Sequence, residues 1–372
     1  MNLLTESLDV STANGRVRGA GAICLAALLA AACGGGADDR TAPANAPATG
    51  TAEAPQARRA DAADPGEPAQ TAQRRRARPY DRKGVTALAA AGDGNSVGVG
   101  LSDGRISVFD ATQLRESRVL KAPAGPATAG LIFSGDSRHL VGVGRDSVAQ
   151  IWNVETGERR YALHGHEHPL RCVAASGDGS IIATGGEETR VLLWDGATGK
   201  LRRVLSGHTD FVNAASMTPD GRLLATGDAD ARVLLWDVAA GKLRQTLLGH
   251  ADELAALAFS TDGRLLASAG LDGKVLLWDV ASGRQLQALA GQAAPVLSLA
   301  FNRSGSLLSG GAADGKVLVW STDGFASARE FAGPGSGVNS VAFDAKNPNR
   351  LFAGDQDGRV TAWIVPPSAG GR

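Results

Sequence analysis

The chain has 372 residues with 38 basic and 38 acidic side chains, so its formal net charge is zero and no bulk electrostatics point to nucleic acid or an anionic surface as the main partner. Its 49 glycines follow no collagen-like period. The three cysteines, Cys24, Cys33 and Cys172, leave no pair in the folded part for a disulfide framework.

Near the N-terminus, Arg16 and Arg18 form a short positive flank, Ala20 to Ala32 form an apolar run, and three alanines precede Cys33. That is the layout of a bacterial secretory signal over residues 1–33, and the run is shorter than the ~20 apolar residues of a spanning helix. Glu6 and Asp9 are foreign to a positive leader, and a start at the codon read as Val17 is the alternative. The segment Leu29-Ala30-Ala31-Ala32-Cys33, followed by Gly34, Gly35 and Gly36, resembles the lipobox of bacterial lipoproteins. That family usually has Leu where Ala30 stands; here Leu29 lies one place earlier. The resemblance implies cleavage before Cys33 and acyl chains on that residue, hence a membrane tether. With Gly34 instead of Asp after the cysteine, it also implies the outer membrane of the cell envelope over the inner one. An ordinary signal peptide cut near Ala32 is the competing reading.

Residues 34–73 contain no aromatic residue and consist chiefly of Ala, Pro, Thr, Gly, Asp and Arg. Such a segment cannot bury enough apolar surface to offset its ordering entropy, and reads as a disordered tether with a reach of roughly 30 to 40 Å. Arg74, Arg75, Arg76 and Arg78 end it. A solvated flank is favoured there over contact with anionic lipid or cell-wall polymer.

Beyond the tether, Phe109, Trp152, Trp194, Trp236, Trp278, Trp320 and Trp363 follow one another at gaps of 43, 42, 42, 42, 42 and 43 residues. The pentapeptide VLLWD ends at Asp195, Asp237 and Asp279. Seven units, each with short apolar runs cut by Gly and Asp turns, predict an all-β, seven-bladed β-propeller over 74–366, with 367–372 as a tail. In the fourth unit, Phe211 to Met217, Arg222 to Gly227, Arg232 to Asp237 and Leu243 to Leu248 read as four strands of one antiparallel sheet.

These residues resemble the WD-repeat family, whose motif sets Gly-His 28 residues before Trp and follows the Trp with Asp. His166 and Trp194, His208 and Trp236, and His250 and Trp278 keep that interval. The resemblance implies a buried hydrogen-bonded set in each such blade. Blade four would hold His208, Thr226, Asp230 and Trp236, and blade five His250, Ser268, Asp272 and Trp278. In blade three, His166, Thr184 and Trp194 are joined by Glu188 where the family has Asp. Asp103, Asp146, Asp314 and Asp357 keep the turn aspartate in blades without the histidine, which Gln292 replaces in the sixth. The resemblance further implies that residues near Gln73 to Pro79 supply the missing outer strand of the last blade.

No GxSxG elbow, Walker loop or HExxH sequence occurs. His164, His166 and His168, with Cys172 nearby, are the best metal candidate, because alternate residues of an extended segment share a face. Against it, the repeat already uses His166. Asp355 to Gly358 and Asp228 to Asp230 lack the further ligands of calcium loops and read as turns. No catalytic residue, metal or cofactor is expected, and Cys172 reads as a small apolar packing residue.

The expected function is that of a non-catalytic protein-binding platform, a monomer with no nucleic-acid partner. By resemblance to the family, partners dock on the face carrying Arg145, Arg171, Glu187, Phe211, Asn213, Glu253 and Leu271, where an exposed Phe beside Arg has the composition of a binding hot spot. Phe211 tucked into a neighbouring blade is the alternative. Two other functions compete: a propeller enzyme with a metal in the central channel, and a cytoplasmic scaffold whose leader is a misread start.

Overall fold

The computed structural model describes residues 84–366, apart from 121–126, 290–292, 323 and 325–328, together with the backbone of two N-terminal strands, Leu4–Asp9 and Gln73–Arg75. The expected lipidation site at Cys33, the tether and the C-terminal tail lie outside these residues. Every regular element among the described residues is a β-strand. The strands form seven sheets, with blades spanning 85–120, 128–164, 170–206, 212–248, 254–289, 296–332 and 338–364.

Blade four shows why the sequence folds this way. Its strands Val212–Met217, Leu223–Asp228, Arg232–Asp237 and Lys242–Leu248 pair antiparallel in chain order. In the first turn, Asp220 Oδ1 accepts the Arg222 N–H at 3.0 Å and the Thr218 hydroxyl at 2.6 Å. Gly221 completes that turn at a φ of 68°, which glycine reaches without steric cost.

The third strand of each blade is buried on both faces because another blade lies on either side. In blade three, Val191 and Leu193 pack with Val212, Leu224, Leu234 and Trp236 of blade four. Their alternates, Leu192 and Trp194, pack with Val141, Val143 and Ile151 of blade two. The pleat, with its period of two, therefore deals successive side chains of VLLWD to opposite neighbours. All four apolar residues are 2% exposed or less.

The first strands of successive blades contact one another round the ring, and Val338–Phe343 of blade seven meets Val85–Ala90 of blade one. Across that junction the Leu88 N–H donates to Ser340 Oγ at 2.9 Å, and Asn339 Nδ2 donates to Val85 O at 2.8 Å. Val85, Leu88, Phe109, Phe352 and Val360 share one apolar cluster there.

The fourth strand of blade seven differs from the expectation. Leu4–Asp9 pairs antiparallel with the third strand, Arg359–Ile364, and so occupies the place assigned to residues near Gln73 to Pro79. Gln73–Arg75 lies one position further out, parallel to Leu4–Asp9, as the fifth strand of this sheet. Leu4 to Asp9 alternates apolar and polar residues only loosely, but it carries two leucines, whereas Gln73–Arg75 contains no apolar residue.

Candidate functional site

Three histidines each link a hydroxyl to an acid in hydrogen-bonded relays inside their blades. In blade five, Trp278 Nε1 donates to Ser268 Oγ at 2.8 Å, that hydroxyl lies 2.8 Å from His250 Nε2, and His250 Nδ1 lies 3.1 Å from Asp272 Oδ1. Indole can only donate and a carboxylate can only accept. The hydroxyl proton therefore goes to Nε2, and Nδ1–H donates to Asp272. Burial lowers the pKa of His250, only partly offset by the Asp272 carboxylate, which suits the neutral ring this relay requires.

Blade three repeats the arrangement with a longer acid. Trp194 Nε1 donates to Thr184 Oγ1 at 2.7 Å, Thr184 meets His166 Nε2 at 2.7 Å, and His166 Nδ1 contacts Glu188. Arg190 Nη2 donates to the other oxygen of Glu188 at 2.9 Å. Burial lowers the His166 pKa as well, against the pull of Glu188.

Blade four departs from the assigned set. Trp236, Thr226 and His208 link through distances of 2.7 and 2.6 Å, but His208 Nδ1 donates to Asp228 Oδ2 at 2.8 Å. Asp230, the expected partner, instead accepts from the Thr209 hydroxyl. Asp228 also accepts the Arg232 backbone N–H at 2.9 Å and its guanidinium at 2.7 and 3.1 Å. Burial alone would raise the Asp228 pKa, but these donors hold it below the ordinary carboxylate range.

The choice of acid follows from the residue eight places before the Trp. In blades three and five that residue is Gly186 or Gly270, and the acid two places later reaches the ring. A Cβ on Gly270 would lie 2.6 Å from both Asp272 Oδ1 and His250 Nδ1. Blade four has Asp228 at that place, and its own carboxylate fills the space. The Gly or Asp at this position is the sequence signal that distinguishes the two cases.

Blade seven has the Asp without the histidine. Gly335 stands 28 residues before Trp363, and Asp355 eight before it. Asp355 Oδ1 accepts the Arg359 and Asp357 N–H groups at 2.7 and 3.0 Å. Its Oδ2 is buried with no hydrogen-bond partner, and Arg359 Nη1 is 4.0 Å away. Burial, aided by the charge of Asp357, pushes the Asp355 pKa up to about 6.

The expected partner face brings four polar side chains of three blades into one line. Arg171 Nε and Nη2 donate to Glu187 Oε1 at 3.2 and 3.0 Å, and Arg171 Nη1 donates to Asn213 Oδ1 at 2.8 Å. Asn213 Nδ2 donates onward to Glu253 Oε2 at 3.2 Å. The Arg171 guanidinium also sits 5.1 Å from the Phe211 ring centroid, a cation–π contact. Phe211 is 40% exposed and is not tucked into a neighbouring blade. Leu271 is half-buried and its N–H donates to Glu253 O at 2.8 Å, while Arg145 is exposed in blade two.

His166 has both ring nitrogens engaged in its relay, so it cannot join the exposed His164 and His168 in holding a metal. Among the described residues no group of three or more His, Cys, Asp or Glu is placed to bind one. The Cys172 thiol is buried, donates to Val212 O at 3.5 Å, and is pushed by burial up to about 12, far from the thiolate that reactivity needs.

Six four-stranded sheets and one of five strands about one ring, with Trp–hydroxyl–His–acid relays in three of them, define a β-propeller built from sequence repeats. The family model for the WD domain, G-beta repeat, matches residues 157–195, 199–237, 241–279 and 283–321. Each match runs from the outer strand of one blade through the third strand of the next. The chain thus carries four WD repeats within a seven-bladed β-propeller. No curated protein matches it.

Proposed function

We propose that this protein is a non-catalytic protein-binding platform of the bacterial envelope, held to the membrane by acyl chains on Cys33. WD-repeat propellers act in general as protein-interaction scaffolds, and the observation that carries the reading here is the line Glu187–Arg171–Asn213–Glu253 with Phe211 exposed beside it. Its polar groups already satisfy one another, so the face is held in one arrangement before a partner arrives and little ordering entropy is lost on docking. Phe211 supplies an apolar anchor, and Glu187 and Glu253 flank it with carboxylates that suit a partner bearing Lys or Arg.

Crosslinking in intact cells, followed by purification of the captured complex, tests the platform. Phe211→Ala should lower recovery of the captured protein at least about tenfold with no change in melting temperature. Undiminished capture would move the docking surface elsewhere. The anchor is supported by the lipobox-like residues alone, and its test is metabolic labelling with a fatty acid. Label should enter the unmutated protein and be lost in Cys33→Ala; an unlabelled wild-type chain removes the anchor.

A further inference from the structure

Exposed apolar side chains are unevenly spread over the ring. Of the seven large ones exposed among the described residues, Phe211 lies on the partner face and the other six lie on outer strands. Five of the six belong to blades three, four and five, where Leu201, Leu243, Leu248 and Leu286 are 44 to 69% exposed.

Charge on these strands is one-sided. The outer strands of blades two to five, Arg159–His164, Leu201–Ser206, Lys242–Leu248 and Gln285–Leu289, contain six Arg or Lys and no Asp or Glu. Those of blades one and six carry Glu116 and Glu330. A chain with equal basic and acidic totals therefore has a basic arc on its rim. Blades three and four write the same triplet along it, Lys200-Leu201-Arg202 and Lys242-Leu243-Arg244. Arg203 Nη1 donates to Ala240 O at 3.0 Å and Gln245 Nε2 to Ser282 O at 3.0 Å, so each outer strand is tied to the turn that leads into the next and the arc is continuous across blades three to five. Arg202 is paired with Asp195. Lys200, Lys242, Arg244 and Arg284 are exposed, and among the described residues none of their side chains has an ion pair or hydrogen bond.

We propose that this arc is a contact surface for a bilayer bearing anionic headgroups. Lys and Arg can hold their heads at the phosphates while neighbouring leucines enter the boundary of the acyl chains. An acidic polymer or protein would use the charges and leave the leucines in water. Charged residues also guard an outer edge against strand pairing, but every blade has such an edge and leucine does not guard it. The contact stands the ring on its rim and leaves Phe211 and the Arg171 line uncovered. It needs no acyl chain on Cys33.

The test uses the full chain with Cys24→Ser and Cys33→Ser, which carries no acyl chain and leaves only buried Cys172. An environment-sensitive dye is attached through Thr246→Cys in blade four or Glu116→Cys in blade one, both exposed positions on outer strands. Vesicles of phosphatidylcholine are compared with vesicles containing about one-third phosphatidylglycerol. Emission from position 246 should shift to the blue on the anionic vesicles alone, and emission from position 116 on neither. No shift at position 246, a shift there on both kinds of vesicle, or an equal shift at position 116 overturns the proposal.

Two variants separate a bilayer from an acidic polymer. Lys242→Gln with Arg244→Gln should lower the preference for anionic over zwitterionic vesicles about 25-fold, at roughly fivefold for each basic residue near the surface. Leu243→Ser with Leu248→Ser should lower the same preference at least about tenfold and leave binding to dextran sulfate unchanged. Both should keep the parent's melting temperature, since all four side chains are exposed. A leucine variant with the parent's preference shows the arc to be a site for acidic polymers or proteins and refutes the bilayer. Because no acyl chain is present, failure of Cys33 to take up fatty acid in cells refutes the anchor and leaves this result standing.

Discussion

His208 is held by Asp228, two residues before the aspartate that the repeat motif assigns to it. Asp228 is fully buried and bridges the ring to Arg232, while Asp230 sits half-exposed beside Thr209. The blade therefore has one indispensable carboxylate and one that can be spared.

Asp228→Ala should cost about 3 kcal/mol, because it strands the His208 Nδ1–H and takes from Arg232 the acceptor of its Nε and backbone N–H, leaving its Nη2 only Thr209 Oγ1. Asp230→Ala, which removes only a surface contact, should stay within about 0.5 kcal/mol. Urea melts of the two variants decide it. The reverse ranking would put Asp230 in the relay.

Blade five can be converted to the blade-four arrangement. Asp272→Ala alone should lose about 2 kcal/mol by leaving His250 Nδ1 unpaired. Adding Gly270→Asp puts a Cβ 2.6 Å from His250 Nδ1, so the ring must shift as it does beside Asp228 in blade four, and the new carboxylate should then recover at least half of that loss. A double variant no more stable than Asp272→Ala means that the position eight before the Trp does not select the acid.

Asp355 is an acid whose pKa in the fold, about 6, lies above its ordinary value. The folded state then holds the proton to higher pH than the unfolded chain. Its contribution to stability is present in full below pH 4 and is lost as pH rises through 6. Asp355→Asn keeps the acceptor for Arg359 and Asp357 and removes the buried charge, so it should raise the melting temperature at pH 8, by roughly 2 kcal/mol in stability, and do little at pH 4. A scan showing no gain at pH 8 counts against the stranded carboxylate.

His166 and His250 act with the opposite sign. Their pKa values are lowered in the fold, so the unfolded chain takes up protons first as pH falls. Their contribution is present above the ordinary histidine pKa and lost on acidification. Melts between pH 7 and 5 should show stability falling. In a variant with His166→Gln and His250→Gln the starting stability should be lower and the fall shallower; an unchanged slope would place the acid sensitivity elsewhere.

Most of the ring is legible in the sequence because its anchors are large, apolar and evenly spaced. A tryptophan every 42 or 43 residues, with turn residues between, admits few folds. The face is legible in part, since its residues hold fixed offsets from the motif. That Arg171 would bind Glu187, Asn213 and Phe211 at once depends on packing between blades and has no local trace. Asp228 and Asp230 are the same letter two places apart, and the choice between them turns on whether the earlier position carries a Cβ. The pairing of Leu4–Asp9 with Arg359–Ile364 spans most of the sequence, and Leu4–Asp9 carries none of the periodic marks of the repeats.

The dealing of VLLWD side chains to two neighbours at once has a consequence for how the molecule comes apart. Blade three contributes Val191 and Leu193 to one core and Leu192 and Trp194 to another, so neither core survives its removal. No blade is an independent folding unit, and unfolding of any one exposes two interfaces. Cooperativity is thus written into the alternation of a five-residue strand.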